Sequence, residues 1–193
     1  MDWLIRRAEQ GDAEAIRTIY NVEVLDSTVT MDLVARSLAE QQAWLNDHGG
    51  AHPVIVAYGP DPAVGSGSGS GFAVGTGSDP AVGSDPTVDP GVVVGFASLS
   101  PWRARPAYRG TVENSVYVAR TAQGRGVGRV LLESILRLGA EHGFHTCMAR
   151  IAGGNEASIK LHETCGFELL GVERQVGRKF NRWIDVTVMQ RML

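Results

Sequence analysis

The stretch Gln123-Gly124-Arg125-Gly126-Val127-Gly128-Arg129 decides how this chain is read. Just upstream, Val112, Asn114, Val116 and Val118 alternate with Glu113, Ser115 and Tyr117, the two-residue period of a strand. Just downstream, Leu131, Leu132, Ile135 and Leu138 share one stripe of a helix over 128–142, and Gly143 is placed to stop it. Closely spaced glycines at a strand-to-helix turn let the backbone approach a ligand. The helix that follows offers unpaired N–H groups and a positive dipole end, which suit a phosphate or pyrophosphate. Arg125 and Arg129 can reinforce that preference for an anion. A dinucleotide fingerprint fails because its last glycine position is Arg129, and a Walker loop fails for want of Gly-Lys-Ser/Thr. On the glycines alone, a turn without function stays open.

Outward from this centre the two periods keep alternating. Trp3–Arg6 reads as a short strand, and Asp12 as the cap of a helix carrying Ala15, Ile16, Ile19 and Tyr20. Ser37 followed by Glu40 makes a capping box ahead of a helix with Leu38, Trp44 and Leu45 inward. Strands are expected over 53–58, 92–98, 146–151, 167–176 and 183–192, with a short helix over 155–164 ended by Gly166. Seven strands with four helices between them describe an α/β (α+β) domain.

Residues 59–91 stand apart. Of these 33 residues, nine are Gly, five Pro, five Ser and four Asp, and none is Lys, Arg or Glu. Such a composition buries too little apolar surface to offset chain entropy, so it reads as a flexible insertion in a hairpin connection within one domain over 1–193. A domain boundary is the other reading, but 1–58 lacks a core of its own. The whole chain has 193 residues, 44% apolar and 20% charged, with a formal net charge of −3. That is globular composition without the basic excess of a nucleic-acid binder. It offers no membrane-length apolar run and no leader-like start, so a soluble cytoplasmic protein is expected. Cys147 and Cys165 form no framework, and the histidines show no ligand spacing, so no metal is expected.

The loop Gln123-x-x-Gly126-x-Gly128 after a strand resembles the coenzyme A pyrophosphate loop of the GNAT superfamily of N-acyltransferases. Asn155-x-x-Ser158, leading to Leu161-His162-Glu163-Thr164-Cys165-Gly166-Phe167, resembles that superfamily's last cofactor motif, in the right order and spacing. Three further segments are similar to the phosphinothricin and methionine sulfoximine N-acetyltransferases. They are Trp102–Tyr108, Thr111–Val118, and Val176-Gly177-Arg178-Lys179-Phe180 with Trp183-Ile184-Asp185. The likeness spans essentially everything except 59–91. It implies a central, mixed but mostly antiparallel twisted sheet of about seven strands flanked by about four helices.

The resemblance also implies acetyl-CoA as co-substrate and direct attack of an amine on its thioester. Glu113 matches the general base, and Ser115 and Tyr117 face the same way along the strand. Backbone amides around Val116, Tyr117 and Val118 would bind the pantetheine arm. The pyrophosphate would lie on Gln123, Gly124, Arg125, Gly126, Val127, Gly128 and Arg129, with Asn155 and Ser158 as further cofactor residues. His162 stands where many members carry a tyrosine acid; acid catalysis and plain hydrogen bonding are both open to it. Substrate selection is expected from Trp102, Arg103, Arg105 and Tyr108, from Ser115, and from Ser27-Thr28-Val29-Thr30, with Thr28 foremost. The implied acceptor is a small amino-acid-like amine, and a homodimer is the usual assembly. Acetylation of a protein N-terminus or lysine is the alternative, and a non-catalytic CoA-binding module a third possibility.

Overall fold

In the computed structural model, residues 3–59 and 91–193 are described; 60–90, almost all of the expected insertion, lie outside them. Among the described residues, seven strands form one sheet in the order β1-β2-β3-β4-β5-β7-β6. The strands are β1 Leu4–Arg7, β2 Val54–Gly59, β3 Val92–Pro101, β4 Thr111–Val118, β5 Thr146–Ala152, β6 Glu168–Lys179 and β7 Arg182–Met192. The helices are α1 Ala13–Asp26, α2 Leu38–Asp47, α3 Val127–Glu141 and α4 Glu156–Thr164. Neighbouring strands are antiparallel except β4 and β5. That parallel pair requires a crossover, which α3 supplies.

The two-residue period of β2 sorts its side chains between two cores. Ile55 and Ala57 join Leu131, Leu132 and Ile135 of α3, whereas Val54 and Val56 meet Ile16, Ile19 and Val24 of α1. The sheet is therefore buried on both faces at β2. The long β6–β7 hairpin turns at Phe180 and Asn181, whose φ of 48° and 59° give the doubly left-handed turn that matches strand twist. Gly59 pairs with Val92 across β2 and β3, so the two ends of 59–91 meet as a hairpin connection should.

Two local expectations need correction. Asp12 does not cap α1 with its side chain. Its carboxylate instead accepts from the Glu9 N–H at 2.8 Å and from both terminal nitrogens of Arg6, because a 3-10 turn over Gln10–Asp12 precedes the helix. Leu38 is 42% exposed rather than inward. As the first residue of α2 it lies at the open end of the helix, and Gln41 and Leu45 fill the buried stripe. The Ser37–Glu40 capping box forms as the spacing predicts.

Candidate active site

Backbone pairing between β4 and β5 runs only from Thr111–Thr146 to Glu113–Met148 and then stops. Beyond it the strands part, and a cavity of about 630 Å³ opens between residues 113–118 and 149–152. Ala119 N–H donates to Val94 on the β3 side, whereas the Val118 carbonyl accepts from Gln123 Nε2 at 3.2 Å on the other. N–H and C=O of one strand residue point the same way, and the direction alternates along the strand. Val116 and Val118 therefore turn their amides into the gap, while Ser115 and Tyr117 pair toward β3. Two free donors at a strand edge can hold a carbonyl or amide chain.

The gap leads to the N-terminus of α3. Gly124 and Gly126 have φ of 72° and 84°, a left-handed backbone that other residues adopt only with strain. Among the described residues, the amides of Gly124, Arg125, Gly126, Val127 and Gly128 have no acceptor. A Cβ on Gly124 or Gly126 would meet nothing within 4 Å, so the space in front of this nest of donors is open. Gly128 serves packing instead: its Cβ would lie 3.2 Å from Leu161 of α4. Trp3, just ahead of β1, fastens the loop, its Nε1 donating to the Arg125 carbonyl at 3.1 Å. Arg129 pairs with Glu133 at 2.8 Å on the exposed helix surface. Solvent screening weakens such an exposed pair, which leaves the guanidinium able to turn to an anion.

Glu113 is half-buried on the wall of the cavity, and burial pushes its carboxyl above the ordinary range, against the opposing pull of Arg150. A carboxyl raised in this way is a better base for an ammonium near neutral pH. His162, on α4, is 4% exposed. Its Nε2 lies 3.1 Å from Asn114 Oδ1 and its Nδ1 2.8 Å from the Ser158 carbonyl. Burial pulls the imidazole below its usual value, opposed by the Ser158 carbonyl. Asn155 caps α4 by accepting the Ser158 N–H at 3.1 Å, and both residues line the cavity.

The expected substrate residues separate. Ser115 is on the cavity wall with Val29 and Thr30, but Thr28 is not; its hydroxyl packs against Gly153. Trp102, Arg103, Arg105 and Tyr108 do not line the cavity, and Arg103 stacks over Trp102 and Tyr108 instead. The loop after α1 also supplies Asp32, which nothing in the sequence singles out. Tyr20 donates to Asp32 at 2.7 Å and meets the Thr30 hydroxyl at 2.8 Å. Lys179, 4% exposed, donates to the carbonyls of Thr30 and Glu23 and holds this loop to β6. Period places Tyr20 on the apolar face of α1 but says nothing of where its hydroxyl ends. Cys147 and Cys165 are buried free thiols, and burial pushes Cys147 up to about 12. No group of metal-binding side chains occurs among the described residues, and no helix there is long and apolar enough to cross a membrane.

The sequence and the overall fold are shared with known proteins. Residues 89–188 match the model of the acetyltransferase (GNAT) domain. The chain is 36% identical to the L-methionine sulfoximine/L-methionine sulfone acetyltransferase of Pseudomonas aeruginosa, over 96% of this chain and 92% of that one. Among solved structures it resembles a GNAT superfamily phosphinothricin acetyltransferase from Sinorhizobium meliloti in complex with AcCoA. That likeness has a TM-score of 0.82 at 31% identity and covers 100% of this chain and 89% of that one. A ribosomal-protein-alanine N-acetyltransferase from Brucella melitensis is similar at a TM-score of 0.79 and 34% identity, covering 98% and 99% of the two chains. With motif order, sheet topology and these likenesses in agreement, the chain belongs to the GNAT acetyltransferase family.

Proposed function

We propose that this protein transfers the acetyl group of acetyl-CoA to the amine of a small amino acid of the methionine sulfoximine or phosphinothricin type. One observation carries the reading. Glu113 and the free amides of Val116 and Val118 share one cavity, and that cavity leads to the unpaired amides of 124–128. Acetyl-CoA supplies an acetyl group activated as a thioester. The amides of 124–128 receive its pyrophosphate, with Gln123, Arg125 and Arg129 at the rim. Asn155 and Ser158 border the arm of the cofactor.

Glu113 removes a proton from the acceptor ammonium, which otherwise has no lone pair with which to attack. The amine nitrogen then bonds to the carbonyl carbon and the carbon–sulfur bond breaks. The amides of Val116 and Val118, already aimed by the strand, steady the charge that develops on the carbonyl oxygen. The leaving sulfur takes up a proton, from solvent or from the protonated form of His162, which lines the cavity. Trp102, Arg103, Arg105, Tyr108 and Thr28 keep their expected role in substrate choice only if they approach the cavity when the acceptor binds. The single domain with a 59–91 insertion, and two buried free thiols that fit a reducing cytoplasm, belong to the same reading. So does a homodimer, supported by the exposed Leu169, Val172, Val176 and Trp183 of the β6–β7 hairpin.

The test is thiol release from acetyl-CoA with methionine sulfoximine, methionine sulfone and phosphinothricin, beside peptides with a free N-terminal alanine. Release with the small amino acids is expected. Release with peptides alone would move the acceptor to a protein N-terminus, the reading that likeness to the Brucella protein favours.

A further inference from the structure

A second chamber of about 270 Å³ lies on the α1–α2 side of β4 and shares Glu113, Ser115 and Tyr117 with the main cavity. It falls just below the roughly 300–1,000 Å³ of pockets that take drug-sized ligands, which suits a free amino acid better than a peptide. One cation faces it. Arg36 stacks its guanidinium over the ring of Tyr20 at 4.1 Å and near that of Trp44 at 5.3 Å. Asn21, 8% exposed, clamps the Arg36 backbone from both sides, donating to its carbonyl at 2.8 Å and accepting its N–H at 2.9 Å. The side chain is thus held in place rather than solvated on the surface.

Its hydrogen bonds are weak for so constrained a group. Nη1 reaches Gln41 Oε1 and Nη2 reaches Asp32 Oδ2, each at 3.4 Å, well beyond the usual length of a charged contact. A guanidinium has five N–H donors, so most remain for a ligand. The same chamber also holds acceptors. His48 Nδ1–H donates to the Trp44 carbonyl at 2.8 Å, which leaves the neutral ring's Nε2 to accept from Ser100 Oγ at 3.0 Å. With its proton committed to His48, Ser100 offers lone pairs to the chamber, as does the carboxylate of Glu113. Donors at Arg36 with acceptors at Ser100 and Glu113 match the two ends of a zwitterion.

We propose that Arg36 is the acceptor-binding cation. It holds an oxygen head of the incoming amino acid, either the α-carboxylate or the tetrahedral side-chain group, and so presents the amine to Glu113. This rests on the small-amino-acid reading above.

The experiment compares wild type, Arg36→Gln and Arg36→Lys on methionine sulfoximine, its α-carboxamide and methionine. Losing a charged hydrogen bond should raise the KM of Arg36→Gln for methionine sulfoximine roughly 10- to 100-fold, with KM for acetyl-CoA unchanged. Arg36→Lys should recover part of the loss. If the carboxylate is held, the penalty disappears with the carboxamide; if the head is held, it persists there and disappears with methionine. Equal KM values for wild type and Arg36→Gln on all three would overturn the assignment of Arg36 alone. So would a parallel rise in KM for acetyl-CoA, the mark of a purely structural role. Wild type inert toward every free amino acid would overturn the functional reading and Arg36 with it. Should Arg36→Gln not fold, Arg36→Lys carries the same comparison.

Discussion

His162 Nε2 lies 3.1 Å from Asn114 Oδ1, and the Asn114 amide is oriented by donation of its Nδ2 to the Met148 carbonyl at 3.0 Å. The imidazole therefore has an oxygen acceptor at each nitrogen, Asn114 on one side and the Ser158 carbonyl on the other. A neutral ring satisfies only one of them as donor. Burial nevertheless favours the neutral ring. One of the two acceptors therefore goes without a donor, on the wall of the cavity.

The burial of the ring has a consequence for stability. The folded imidazole sits below its unfolded value, so its contribution is fully present above about pH 6.5 and is lost as the pH falls through the folded value. Thermal melts between pH 8 and 5 should show wild type losing stability on the acid side, and His162→Gln losing less. Parallel curves would remove His162 as the source.

Asn114 is 6% exposed and joins β4 to both β5 and α4. Asn114→Ala would leave the Met148 carbonyl without its side-chain donor in the interior. Urea unfolding should report a loss of about 1–3 kcal/mol. A smaller effect would mean that water replaces the amide.

Glu113→Gln keeps shape and burial but cannot take a proton. Turnover should fall by about 10²-fold or more, within the range of acid–base catalysis. Burial raises the Glu113 carboxyl, so the acid limb of kcat/KM should lie above that of an ordinary glutamate and vanish in the variant. Rates near wild type across pH would assign the base elsewhere.

Gly126→Val forces a β-branched residue to a φ of 84°, a strain of about 1–3 kcal/mol, and fills open space before the amide nest. Calorimetric titration should show acetyl-CoA affinity reduced at least tenfold. Full affinity in a folded variant would mean that the phosphates bind elsewhere.

The ends of 59–91 adjoin, since a Cβ on Gly91 would lie 2.3 Å from the Gly59 carbonyl oxygen. Replacing 60–90 by a two-residue Asn-Gly turn should therefore leave melting temperature and turnover near wild type. Lost turnover with an intact fold would make the insertion part of the site.

The linear sequence determined what depends on near neighbours. Periods of two and 3.6 placed seven strands and four helices to within a few residues, and glycines next to a helix start marked the unpaired amides at 124–128. Alternation over 112–118 puts Glu113, Ser115 and Tyr117 on one face from the sequence alone. Only the tertiary structure decided where β4 leaves β5, because that gap depends on where pairing between distant segments stops. It likewise decided that Tyr20, Arg36 and Ser100, separated by as many as 80 positions in the sequence, meet Glu113 in one chamber. Their period marks each as an ordinary helix, loop or strand residue. Nothing local records that Asn21 clamps Arg36, or that His48 takes the proton of Ser100. Such contacts come from packing α1 and α2 onto a sheet assembled from the rest of the chain.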